Sequence, residues 1–223
     1  MDFASILITV FVLFSIFGSQ PQSSKQKVIN EKKQNKPIIE TIASQQSTSW
    51  NIIEDIVYTP RSKSKTIYAA DDDFQVIMSY IVGYYKKVPY DEAELIAKSI
   101  VKYGIEYDID PRIIAALIAR ESSFNRNAVS VTDAKGLGQI KSFNFSTLEI
   151  IDPFNIEQNV KGCTKHFFTM LKKWEGKSNQ LALAIASYAE GYGAISRGDG
   201  KWKPETGRYI KDIFYIYKFM KTP

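Results

Sequence analysis

The chain opens on an almost unbroken apolar run, Phe3 to Phe17 (FASILITVFVLFSIF). The run is shorter than the roughly 18–20 apolar residues of a membrane-spanning helix. Its length suits the core of a secretory signal. Gly18 and Ser19 supply small residues where cleavage would occur. The leading segment, however, carries Asp2 without Lys or Arg, and no clear A-x-A site follows. Residues 1–19 are therefore read as a signal peptide or a membrane anchor, with residues 3–17 as the anchoring stretch. Both readings place the rest of the chain outside the cytoplasm, in the periplasm or cell envelope, with the anchor in the inner membrane in the second case. No cysteine lies just after the run, which excludes a lipid-modified cysteine there. Residues 20–71 are rich in Ser, Gln, Lys and Asn with scattered Ile. Such a stretch buries too little apolar surface to offset its ordering entropy and reads as a disordered linker.

From about Asp71 the spacing becomes helical. Asp71 to Asp73 favour a helix start, because carboxylates offset the positive end of the helix dipole. Phe74, Ile77, Met78, Ile81 and Tyr85 then recur at helical intervals. After Pro89, Asp91 with Glu94 has the form of a capping box, and Ile96, Ala97 and Ile100 follow on one face towards Gly104. Asp110 and Pro111 predict an N-cap and first turn. Ile113, Ile114, Leu117 and Ile118 come next, and Glu121 continues their stripe. A helix from near Asn155 carries Val160, Cys163, Phe167, Leu171 and Trp174, with Gly176 just beyond. Ser178 opens QLALAIASYAEG, whose small residues allow close backbone approach; this is the expected central, buried helix, ending at Gly191. A last helix runs from about Thr206 through Tyr209, Ile213, Phe214 and Tyr217. No period-two strand of ordinary length and no internal repeat is seen. The fold class is mostly α, with one helical domain over residues 72–223.

Composition narrows the function. Apolar residues make up 44% of the 223, enough for a packed core. The net charge of +5 would suit an anionic partner such as nucleic acid, lipid headgroups or wall polymer. No compact basic stripe interleaved with aromatics stands out, so nucleic acid is not an expected partner. A single cysteine, Cys163, allows no internal disulfide, and with a single histidine, His166, it argues against a zinc site of the usual kind. No metal and no cofactor are expected. A Ser-His-Asp or Cys-His hydrolase would have to use His166, which falls at an amphipathic helical position.

Glu121 is the residue that changes the picture. It ends an apolar helix in phase with Leu117 and Ile118, and so points towards the core side. Burial disfavours the charged form of a carboxyl, which keeps its proton available for a glycosidic oxygen near neutral pH. On position alone, an ion pair with Arg120 or Arg126 is the better explanation of such a glutamate.

The surrounding motifs bear on that choice. IDPRIIAALIARESSFNRNAVSVTDAKGLGQ carries Glu-Ser-x-Phe, then Asn-Ala-x-Ser, then Ala-x-Gly-Leu-x-Gln. Downstream lie DPFNIEQNVKGCTKHF, ALAIASYAEGYG and ETGRYI, in that order. From near Tyr90 almost to the C-terminus the chain thereby resembles the lytic transglycosylases of the soluble SLT type, which have a goose-lysozyme-like fold. The resemblance implies that Glu121 is the catalytic acid and base. It places Ser130 on a serine that helps hold the substrate N-acetyl group, and Gln139 on a cleft glutamine. Tyr188 matches a tyrosine of the buried helix, and Tyr209 one that hydrogen-bonds near the acid. Each has a structural alternative: Ser130 a helix cap, Gln139 a turn residue, both tyrosines core aromatics.

The resemblance also implies a chemistry with one carboxylate. The acid protonates the bond between N-acetylmuramic acid and N-acetylglucosamine in peptidoglycan glycan strands. It then takes the proton from the sugar's own 6-hydroxyl, which closes a 1,6-anhydro ring. Four positions depart from the family pattern: Asp133 replaces Gly, Gly138 replaces Met, Ala189 replaces Asn, and Glu190 replaces Ala. Gly138 would remove an apolar wall of the cleft, and Asp133 or Glu190 would be the candidate second carboxylate. A hydrolytic muramidase and a non-catalytic wall-binding module in a secretion or flagellar assembly are the alternatives.

Overall fold

The computed structural model describes residues 68–222. The expected export segment at 1–19 and the expected linker as far as residue 67 lie outside the described residues. What is described forms eight α-helices and one short hairpin, so the domain is mostly α.

Helix α1, Tyr68–Tyr84, begins three residues before the expected start, with Asp71 in its first turn. Asp73 is buried and pairs with Arg112 at 2.9 Å, so the acidic run also ties α1 to a later helix. Helix α2, Tyr90–Glu106, has Pro89 as its N-cap and no side-chain cap bond. The capping box expected of Asp91 and Glu94 does not form, because helical geometry already starts at Tyr90. Asp91 therefore sits inside the first turn, where it meets the helix dipole.

Helix α3, Pro111–Ser122, starts as its local chemistry dictates. Asp110 accepts the Arg112 N–H at 3.0 Å and Pro111 occupies the first turn. Ile113 to Ala119 are all buried. Two two-residue strands, β1 (Ala134–Lys135) and β2 (Ile140–Lys141), pair antiparallel with Ala134 opposite Lys141. They are too short to leave a period-two signature. A single 3₁₀ turn at Ser142–Asn144 leads into α4, Phe145–Leu148.

Helix α5, Ile156–Lys173, is capped by Asn155, which accepts the Gln158 N–H at 3.0 Å. Helix α6, Gln180–Glu190, buries every residue from Leu181 to Ser187. Helices α7, Tyr192–Arg197, and α8, Pro204–Lys221, complete the domain. The expected central helix α6 shares that position with α3. Helix α8 packs on α3 and α6, α5 packs on α2 and α6, and one continuous core joins them. Trp174 donates its indole N–H to Ser187 at 2.8 Å and links α5 to α6 across that core.

Candidate active site

Glu121 lies in the last turn of α3, half-buried. Immediately after the helix, Ser123 and Phe124 both take left-handed conformations, with φ of 55° and 58°. Non-glycine residues rarely do so, and two in succession need a compensating contact. Phe124 supplies it. Its side chain is fully buried, with its ring 4.9 Å from that of Tyr85 and 6.4 Å from that of Tyr80. Burying a phenylalanine stabilises by roughly 1.5–3 kcal/mol, which offsets the strained reversal. The chain therefore leaves Glu121 abruptly, and the acid remains at a fixed helix end.

Tyr209 of α8 donates its hydroxyl to Glu121 Oε1 at 2.5 Å. Burial and the negative charge of Glu121 raise the Tyr209 hydroxyl well above the ordinary tyrosine value, so it acts as a donor at neutral pH. Tyr188 of α6 donates to the Gly138 carbonyl at 2.7 Å and lies 3.4 Å from Cys163 Sγ. Burial, followed by the charges of Cys163 and Glu121, raises the Tyr188 hydroxyl in the same direction. Burial also pushes the Cys163 thiol up to about 12. A thiol so protonated is a packing group rather than a nucleophile. His166 stands edge-on to Tyr188, with ring centroids 5.2 Å apart. Burial, with Lys173 nearby, lowers its pKa and keeps it neutral.

The segment between the acid and the hairpin is braced from within. Ser130 Oγ accepts the N–H groups of Ala134 at 3.0 Å and Thr132 at 3.2 Å. Gln139, at φ 50°, donates its side-chain amide to the carbonyls of Gly136 and Ala128 at 3.0 and 3.1 Å. The structure thus brings Tyr209 into direct contact with Glu121 and brings Tyr188 beside Gly138. Ser130 and Gln139 are joined to the loop backbone. Gly138 itself is buried: a Cβ there would lie 2.6 Å from Cys163 Cβ and 3.1 Å from the Tyr188 hydroxyl. Its side of the turn faces packed atoms, which gives the departure at this position a steric reason.

The two candidate second carboxylates are both engaged. Glu190 accepts the Lys203 N–H at 2.9 Å and the Thr206 hydroxyl at 2.5 Å, across the start of α8. Burial acts to raise its pKa, but these hydrogen bonds and the Lys203 charge outweigh it, and the net direction is down. Asp133 is exposed and lies 3.4 Å from Lys135 Nζ.

Comparison with known proteins decides the family. The family described as "Transglycosylase SLT domain" matches residues 98–210, half of the chain, and this span holds all five candidate site residues. The chain belongs to the SLT transglycosylase family. The chain is 31% identical over 104 residues to a membrane-bound lytic murein transglycosylase F of Desulfosudis oleivorans, covering 45% of this chain and 22% of that one. It is 25% identical over 112 residues to a transglycosylase of Enterobacteria phage PRD1, covering 50% of this chain and 40% of that one. The chain thus spans well under half the length of these relatives. Among solved structures, the 70 kDa soluble lytic transglycosylase of Escherichia coli superposes with a TM-score of 0.48 at 16% identity, covering 92% of this chain and 38% of that chain.

Sequence reasoning missed one organiser of the SLT domain, Asn159. Its side chain is buried on α5. Its Nδ2 donates to the carbonyls of Pro153 and Lys135 at 2.8 and 3.1 Å, and its Oδ1 accepts the Gly138 N–H at 2.7 Å. The available signal was a lone amide on the stripe Ile156, Asn159, Val160, Cys163. Each backbone group left unpartnered in the interior costs about 1–3 kcal/mol. Asn159→Ala is therefore expected to destabilise the domain by at least about 2 kcal/mol. Denaturant unfolding checks this, and an unchanged midpoint would refute the bracing role.

Proposed function

We propose that the protein is a peptidoglycan lytic transglycosylase that cleaves the β-1,4 bond between N-acetylmuramic acid and N-acetylglucosamine, with Glu121 as its only acid and base. The observation that carries this reading is the Tyr209–Glu121 hydrogen bond inside a matched SLT domain. A hydroxyl that donates to Oε1 favours the carboxyl proton on Oε2, and that oxygen would deliver it to the glycosidic bond. Positive charge then develops on the muramic carbon, where the substrate's N-acetyl carbonyl stabilises it. Glu121, now a carboxylate, takes the proton of the muramic 6-hydroxyl, and this oxygen forms the 1,6-anhydro ring. Its proximity within the same sugar makes it a competitive nucleophile against water. Ser130, Gln139, Tyr188 and Tyr209 would line and orient the substrate around this step.

The engagement of Glu190 and Asp133 with their own partners favours a one-carboxylate mechanism over a hydrolysis needing a second carboxylate. Residues 72–223 would form the catalytic domain. Residues 1–19 and 20–71 would export or anchor it and hold it at the envelope. No helix among the described residues is long and apolar enough to cross a membrane.

Mass spectrometry of purified peptidoglycan digested by the protein tests the reading. Anhydro-muropeptides are expected. Reducing-end products would make the enzyme a muramidase, and the absence of any product would leave a wall-binding module.

A further inference from the structure

Arg120 precedes Glu121 on α3 but points to a different partner. Its Nε donates to Asp212 Oδ2 at 2.9 Å, and its guanidinium carbon lies 5.2 Å from the centroid of the Tyr209 ring. Tyr209 and Asp212 are three residues apart and neighbours on the surface of α8. Tyr209 in turn donates to Glu121. Two adjacent residues of α3 and two neighbouring residues of α8 thus close a ring of contacts.

We propose that Arg120 and Asp212 are positioning residues: Asp212 holds the Arg120 guanidinium against the Tyr209 ring, and that contact sets the direction in which the Tyr209 hydroxyl meets Glu121. The proposal rests on Glu121 being the catalytic acid. The Arg120 and Asp212 side chains are 36% and 22% exposed, and an ion pair so placed adds little to stability. A planar guanidinium, however, stacks over a ring in a way a lysine ammonium does not. A tyrosine ring pivots about its own bonds, and a hydroxyl at its far end moves most when the ring is unsupported. The charged and titratable groups around this point are Arg120 and Glu121 from α3, Cys163 from α5, Tyr188 from α6, and Tyr209 and Asp212 from α8.

The test turns on opposite signs. In the full-length protein, the side-chain carboxyl of Glu121 is titrated by carbon-13 NMR in the wild type and in Asp212→Ala. Removing a nearby negative charge, by itself, favours the carboxylate and lowers the Glu121 midpoint. Loosening a hydrogen bond to the carboxylate disfavours it and raises the midpoint. The expected result is a rise that disappears when Tyr209→Phe is already present. The kcat of Asp212→Ala should fall roughly tenfold to a hundredfold with KM unchanged. Arg120→Lys, which keeps the charge and loses the plane, should act in the same direction and carries the test if Asp212→Ala does not fold. A midpoint that falls or stays, or a kcat loss of equal size in the Tyr209→Phe background, overturns the proposal. Full activity in Glu121→Gln would overturn the acid assignment instead, and the titration would still report whether the ring of contacts exists.

Discussion

Glu121→Gln is expected to abolish turnover while leaving the fold intact. The glutamine amide has the shape of the carboxylic acid, and its oxygen still accepts the Tyr209 hydroxyl that Oε1 accepts now. The helix end is held by other means, above all by Phe124 in its aromatic pocket. Thermal unfolding of the variant should therefore overlay that of the wild type within a few degrees. An amide has no proton of carboxyl acidity, so both proton transfers of the proposed mechanism are lost. General acid–base catalysis contributes roughly 10²–10⁴-fold, and a mechanism with one carboxylate loses donor and acceptor together. The rate of product release from peptidoglycan, in the proposed reaction, should fall by at least that factor. A variant that retained more than a tenth of the wild-type rate would sink the single-acid mechanism.

The second large effect is expected at Gly138, and on stability. Gly138→Ala adds a Cβ 2.6 Å from Cys163 Cβ and 2.8 Å from its Sγ. Cys163 is fully buried on α5 and cannot swing away. Either the turn lifts, breaking the Tyr188 bond to the Gly138 carbonyl and the Asn159 bond to the Gly138 N–H, or α5 shifts. Overpacking of this kind costs about 1–3 kcal/mol, and the two strained hydrogen bonds add to it. A drop of several degrees in Tm is expected, with activity falling alongside, because the turn abuts Tyr188. The partner atom can be identified by combining substitutions. Cys163→Ala removes the Sγ contact but retains the closer Cβ and should give only partial relief, whereas Cys163→Gly removes both and should shrink the effect of Gly138→Ala further. Equal penalties in both backgrounds would locate the clash elsewhere.

These expectations mark where sequence reasoning succeeded and where it stopped. Asp110 and Pro111 announced the start of α3 because both act on backbone groups within two residues of themselves. The stripe of α5 was legible because it repeats within one element. The capping box at Asp91 and Glu94 was a similar local pattern, but Pro89 had already set the helix start one residue before Asp91. The family resemblance pointed to Tyr209, which spacing alone could not connect to a residue 88 positions earlier. Asn159, the left-handed pair at Ser123 and Phe124, and the reach of Arg120 to Asp212 were not legible. Each depends on which groups the finished packing brings together, and no periodicity encodes that.

The contact between Tyr209 and Glu121 also sets an order of events. Its partners are separated by most of the domain, and so are Arg120 with Asp212 and Asp110 with Tyr217. All three meet only when α8 docks. During synthesis Glu121 is therefore made early and its site completed late, and a chain emerging from the ribosome carries an unfinished site until α8 arrives. Pairings of such long range also close slowly. If the proposed wall-cleaving activity is this site's, the delay in completing it is built into the folding of the domain itself.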